Sequence, residues 1–149
     1  MAFTEMSFLK RASDLLIDHK HFNFSNDNAN ITPPAAGAAI PFGTVVFRAK
    51  GLGVAAAWAA VTTNASLVTT NEFAVVWGDH HSFAAGFVPR AIATGKFNSI
   101  VIKRDAAFKE YYIKQVHGTA LGADFDTLKQ LMADQGLLVL DDITDYTVA

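Results

Sequence analysis

The sequence predicts an α+β domain, mostly β: a small β-barrel-like or β-sandwich domain with one helix in its C-terminal region and an extended N-terminal arm. Three observations predict it. Short β-branched or aromatic runs bounded by Gly, Pro and Asn recur between residues 44 and 104. A single amphipathic helix pattern, at 124–135, runs into a glycine. The first thirty residues lack the strand pattern and scatter large apolar side chains among polar ones.

Residues 1–30 read as an arm and 31–149 as the folded domain. A short helix fits the arm's start, with Ser7 as N-cap and Ala12, Leu15 and Leu16 at helical spacing. His19 to Phe24 alternates instead, and Ser25 to Asn30, rich in Asn, reads as a loop. Phe3, Phe8, Leu9, Leu15, Leu16, Phe22 and Phe24 stand in a stretch too polar to bury them alone. They are the candidate anchors for a partner's groove, where buried aromatics hold binding energy. The alternative is that the stretch folds back on its own domain.

Pro33-Pro34 and Pro41-Phe42-Gly43 are turns. Thr44 to Ala49, Glu72 to Trp77 and Asn98 to Arg104 are strands by β-branched and aromatic content. Val54 to Val61 is Ala-rich around Trp58 and fits a short helix or a strand equally. Asn64 to Ser66 is a turn. Residues 79–97 read as a long loop, and Ala107 to Ile113 as a fourth strand with a short helix as alternative. In the helix 124–135, Asp124 is the cap candidate and Phe125, Leu128, Leu131 and Met132 form the apolar face. Gly136 supplies the stop, and Leu137 to Leu140 is a short buried strand. The expected core contains Val45, Phe47, Trp58, Val75, Trp77, Val101, Leu128 and Leu131.

Bulk properties narrow the function. The 149 residues suit one domain with its own core. Apolar residues make up 51% and charged residues 17%, below the usual quarter, so part of the exterior is either small and neutral or covered by partners. A net charge of −2 makes no global electrostatic claim on nucleic acid or an anionic membrane. Four Asp and no base follow Lys129, an acidic end that reads as solvated. The absence of Cys excludes disulfides and thiolate metal sites. Met1 to Lys10 does not read as a signal peptide, and the apolar run Leu52 to Val61 is too short to span a bilayer, so a cytoplasmic product is expected.

No nucleophile elbow or phosphate-cradling Gly-rich loop occurs. The carboxylate pairs Asp124/Asp126 and Asp141/Asp142 lie at a helix start and in the acidic end, where dipole and solvation account for them. His19-Lys20-His21 and Asp79-His80-His81 are metal-ligand types, but two doublets do not make the three or four converging groups that a site needs. The reading is therefore non-enzymatic, with no cofactor and no metal.

With these elements in view, the chain resembles the lambda-type head decoration protein family of tailed bacteriophages. The resemblance rests on an ordered series. Ile40-Pro41-Phe42-Gly43-Thr44-Val45-Val46 is similar to the family's first strand, in which "G-T-V" follows a Pro- and Ala-rich approach. Phe73-Ala74-Val75-Val76-Trp77-Gly78-Asp79 is similar to its middle strand. Ser99 to Ala106 looks like its strand carrying an Arg. Leu128-x-x-Leu131 through Gly136-Leu137-Leu138-Val139 resembles its terminal helix followed by "G-I-x-V". The series spans residues 31–140; the 79–97 loop is longer and Leu52 to Val61 richer in Ala than the family pattern.

The resemblance implies a structural virion (cement) protein, made in the host cytoplasm and seated on the outer capsid surface. It implies as partners the major capsid protein and further copies of itself, a trimer favoured and a dimer possible. It also implies an N-terminal arm that adds a strand to the capsid protein, and a head stabilised against internal DNA pressure. Two other readings stay open. One is a head fibre or host-surface-binding virion protein using the 79–97 loop, with Phe83 and Phe87 beside His80 and His81. The other is a small metal-dependent enzyme or ligand-binding barrel built on the histidines.

Overall fold

In a computed structural model, residues 16–19, 26–32, 40, 43–53, 55–78 and 97–141 are described. They form eight strands and two helices: β1 (Leu16–His19), β2 (Asn26–Thr32), β3 (Val45–Ala49), β4 (Trp58–Ala60), β5 (Asn71–Gly78), β6 (Phe97–Ile102), β7 (Ala106–Lys109), α1 (Glu110–Leu121), α2 (Phe125–Ala133) and β8 (Leu137–Leu140). Five strands close a barrel in the order β2-β4-β3-β5-β6, and three make a separate sheet in the order β1-β7-β8. The fold is α+β and mostly β.

Two cores result. Each of the five barrel strands sends Ala, Val, Ile or Trp inward: Ala29 and Ile31, Val46, Trp58, Ala74 and Val76, and Val101. A five-stranded barrel has a narrow interior, which small side chains around one Trp fill. The alternate residues of the same strands, Val45, Phe73, Val75 and Ile102, face outward. They pack with Phe108, Ile113, Leu121, Phe125, Leu128, Met132 and Leu137 of the second layer. Phe73, Ala74, Val75 and Val76 are thus all buried, because β5 is covered on both faces. That explains why this strand reads as an apolar run without alternation.

Several expectations change. The boundary at residue 30 falls inside β2, and Asn26 to Asn30 is strand, not loop. Its propensity is poor, but Asn26–Ile31 pairs antiparallel with β6 while Ile31 and Thr32 pair with β4. Ala29 and Ile31 supply a period-2 signal of only two residues. Leu16, taken as an arm anchor, packs half-buried against the domain's own core. Both described pieces of the first thirty residues are therefore sheet strands of this domain.

The strand expected at Ala107 to Ile113 ends at Lys109, and helix α1 takes over at Glu110. The expected single helix is thus two. Ile113, His117 and Leu121, at four-residue spacing, form the buried face of α1, and the polar His117 hides that stripe from a hydrophobic count. The ambiguous Val54 to Val61 segment contains the strand β4. Helix α2 buries Phe125, Leu128, Leu131 and Met132, the expected face. Asp124 does not cap it. A 3₁₀ turn at Gly122–Asp124 feeds the helix directly, and the Asp124 carboxylate accepts from Asn64 Nδ2 at 3.0 Å instead.

Gly136 does terminate the α2 segment, at φ 81°. Any side chain there would also crowd the Asp105 carboxylate, 3.3 Å from the position of a Cβ. Before it, Gln135 acts as a stand-in strand: its Oε1 accepts from Phe73 N at 2.8 Å and its Nε2 donates to Asn71 O at 3.3 Å. These bonds serve β5 residues outside the pairing with β6. β8 is parallel to β7 and only half-buried, with Leu137 and Val139 inward and Leu138 and Leu140 outward. Among the expected core residues, Val45, Trp58, Val75, Val101, Leu128 and Leu131 are buried, while Phe47 and Trp77 are partly buried against the outer core.

Candidate assembly interface

The three-stranded sheet presents one face to the core and one away from it. Phe108, Leu137 and Val139 go inward, with Leu16 beside Phe108. On the other face Leu138 and Leu140 are 46% and 43% exposed, and Ile17, at the irregular position of β1, is 47% exposed; these are the largest aliphatic groups of this sheet in contact with water. Among the described residues no further strand pairs with β1 or β8. An open edge offers unpaired N–H and C=O groups to another strand. The barrel has none, because closure pairs every strand on both sides.

The buried polar groups hold elements together. Arg48 lies under 10% exposed, its guanidinium stacked 4.3 Å over the Trp58 ring. Nε donates to Glu72 and Nη1 to Gly53 O. Arg48 shares its strand face with Val46 and so sits toward the barrel interior, an ion pair with Glu72 closing that end over Trp58. Glu110 at the start of α1 ties to Lys129 of α2 and to Lys114. The hydrogen bond from Lys129 holds the Glu110 carboxyl below its ordinary value.

His117 joins the layers. Its Nε2 accepts from Val45 N at 2.7 Å, and its Nδ1 lies 3.1 Å from Val61 O. Those two contacts set the tautomer: Nδ1 carries the proton and donates, leaving Nε2 free to accept. The ring is 2% exposed. Burial pushes its pKa down from 6.5 to about 4, against the hydrogen bond to Val61, which raises it. Sequence reasoning missed this residue, because nothing about a lone His in an apolar stripe distinguishes it before the partners are known.

Elsewhere a cleft of about 390 Å³ lies against β3 and β4, lined among others by Phe47, Thr62, Thr63, Ser66 and Asn71. None of its described lining residues is titratable. Among the described residues no group of three or more His, Asp or Glu could hold a metal ion. No helix among them is long and apolar enough to cross a membrane.

No family model, curated protein or solved structure matches the chain.

The other predicted positions divide simply. Phe3, Phe8, Leu9, Leu15, Phe22 and Phe24 lie outside the described residues. So do His21, His80, His81, Phe83 and Phe87, the turns at 33–37 and 41–42, and nearly all of the 79–97 loop. His19 closes β1.

Proposed function

We propose that the chain is a structural virion protein that coats the outer surface of a tailed-phage capsid as an oligomer and stabilises the head against internal DNA pressure. The observation that supports this most is the three-stranded sheet, whose edge strands pair with no further strand among the described residues and carry the exposed Ile17, Leu138 and Leu140. A free edge beside exposed aliphatic side chains is the chemistry of strand addition, in which backbone pairing sets register and side chains fill neighbouring grooves. The sequence resemblance to the decoration family points the same way, and the partner is then the major capsid protein.

In this reading the contact extends along the chain on either side of β1. Phe3, Phe8, Leu9 and Leu15 precede that strand, and Phe22 and Phe24 follow it. Ordering a residue costs roughly 1–2 kcal/mol and burying a Phe or Leu returns about 1.5–3 kcal/mol. A single copy gains little at that balance. Several linked copies on one shell gain much more through effective concentration.

The test uses the full-length chain and expanded heads of the phage that encodes it. Saturable co-sedimentation is expected, and Leu138→Lys/Leu140→Lys should weaken it at least about tenfold, the loss of one modest contact. Wild-type protein that stays in the supernatant at every concentration would remove the capsid from the account.

A further inference from the structure

We propose that the cleft against β3 and β4 is a binding site for a neutral pyranose sugar, with the Phe47 ring as its platform and Thr62, Thr63 and Asn71 as its polar rim. The inference goes beyond the capsid-binding reading and uses a different part of the molecule, since β1, β7 and β8 supply none of the cleft's described lining.

The cleft follows from what stands beside Phe47. In the β3 ladders Phe47 pairs with Phe73 on β5 and with Ala59 on β4. On the β5 side its neighbour is a second ring. On the β4 side it is a single methyl, too short to cover a phenyl ring. Phe47 therefore stays half-buried. The chain leaving β4, through Thr62, Thr63 and the 3₁₀ turn Asn64–Ser66, walls off the space that remains. Its volume, about 390 Å³, lies within the range of small-molecule sites, roughly 300–1,000 Å³.

The wall is fixed before any ligand arrives. Ser66 Oγ donates to Thr63 O at 2.9 Å, and Asn64 Nδ2 ties the turn to Asp124, just before α2. Asn71 is held at three points. Its N donates to Val68 O, its carbonyl accepts from Gln135 Nε2, and its Nδ2 donates to Ser66 O at 2.9 Å. Its Oδ1 and the hydroxyls of the exposed Thr62 and Thr63 have no partner among the described residues. A preformed site loses less affinity to ordering.

The chemistry of the lining selects the ligand. With no titratable side chain described there, nothing meets a phosphate, a carboxylate or an ammonium group. An extended peptide needs a strand edge, and closure leaves the barrel none. A pyranose suits what remains. Its C–H face packs on an aromatic ring, and its hydroxyls both donate and accept, as threonine hydroxyls do. For a ligand of this size one site reaches only millimolar affinity. Many copies on one surface would raise that through avidity.

The test is a titration of the full-length, ¹⁵N-labelled chain, read by amide chemical shifts. The probes are methyl glucoside, methyl mannoside, methyl galactoside and N-acetylglucosamine, with cyclohexanol as a ring that lacks the hydroxyl array. Saturable movement of the Thr62, Thr63, Ala65 and Asn71 amides is expected for at least one sugar, and little for cyclohexanol. Thr62→Val removes one exposed hydroxyl and should weaken that sugar about fivefold, the loss of one hydrogen bond. Phe47→Leu, which keeps an apolar side chain but removes the ring, should weaken it at least as much. Ala65→Trp, which fills the cleft from an exposed position, should abolish the shifts, and Thr127→Val on α2 should leave them unchanged. Thermal unfolding close to wild type qualifies each variant; if Phe47→Leu unfolds, Thr62→Val and Ala65→Trp carry the test. No saturable shift with any sugar at about 100 mM, far above the millimolar range, overturns the proposal. So does an affinity that Ala65→Trp leaves intact, or cyclohexanol moving the same amides as far as the sugars. Phage heads play no part, so failure here leaves the capsid reading standing, and failed co-sedimentation leaves the sugar site standing.

Discussion

The barrel and the three-stranded sheet solve the same problem in opposite ways. Five strands close on themselves, bury residues on both faces over much of β3, β5 and β6, and leave no edge to be managed. Three strands beside them find no further partner strand among the described residues, bury one face against helices α1 and α2, and leave Ile17, Leu138 and Leu140 exposed. The difference places most of the buried packing in the barrel and its shared core; under the proposed function, contact with other molecules falls to the sheet.

Substitutions can break that division. Phe73, 1% exposed and set between barrel and second layer, is expected to show the largest effect: Phe73→Ala should lower unfolding free energy by about 3–5 kcal/mol in denaturant titrations. A loss below about 1 kcal/mol would mean that the two layers are not packed as described.

The joint between the layers should be acid-sensitive. In the unfolded chain His117 titrates near 6.5, and in the fold at about 4. Between those values the unfolded state binds more protons, so stability is complete above about pH 6.5, falls as pH drops, and stops falling from this source below about pH 4. The whole contribution is about 3 kcal/mol. Denaturation curves at several pH values should be steeper in pH for wild type than for His117→Phe, which lacks the proton and is less stable throughout. Equal slopes would contradict the buried neutral ring.

At the barrel's end, Arg48→Met should cost about 2 kcal/mol, because it strands a largely buried carboxylate at Glu72, whose side chain is 23% exposed. Arg48→Met/Glu72→Leu should recover most of that loss, and a double-mutant cycle measures the coupling. The smallest effects are expected where the sequence pointed to a cap and the fold made none. Asp124→Ala should change stability by under about 0.5 kcal/mol, less than an N-cap normally contributes. Leu138→Thr, on the outward face, should also stay within about 0.5 kcal/mol.

Legibility followed how much of an element's signal lay in its own residues. β5 and the apolar face of α2 were readable because Phe73 to Val76 and Phe125, Leu128, Leu131 and Met132 are unambiguous in isolation. β2 was not, since Asn26 to Asn30 becomes a strand through β6 and not through propensity. At Ala107 to Ile113 strand and helix were both legible but not their order, because the segment crosses a strand-to-helix junction with β-forming residues on both sides. Of the surface, the sequence marked aromatic positions near the N-terminus but not the β8 leucines. Leu137 to Leu140 looks uniformly buried until its pairing with β7 shows which two residues face out.

The central proposal is that the three-stranded sheet, and not the closed barrel, meets other proteins in the assembled particle. Amide hydrogen exchange compares the free protein with the same protein bound to phage heads. The account predicts slower exchange confined to β1, β8 and the segments flanking them, with β3 and β5 unchanged. Protection that appears on the barrel strands while β8 exchanges as fast as in the free chain would contradict it.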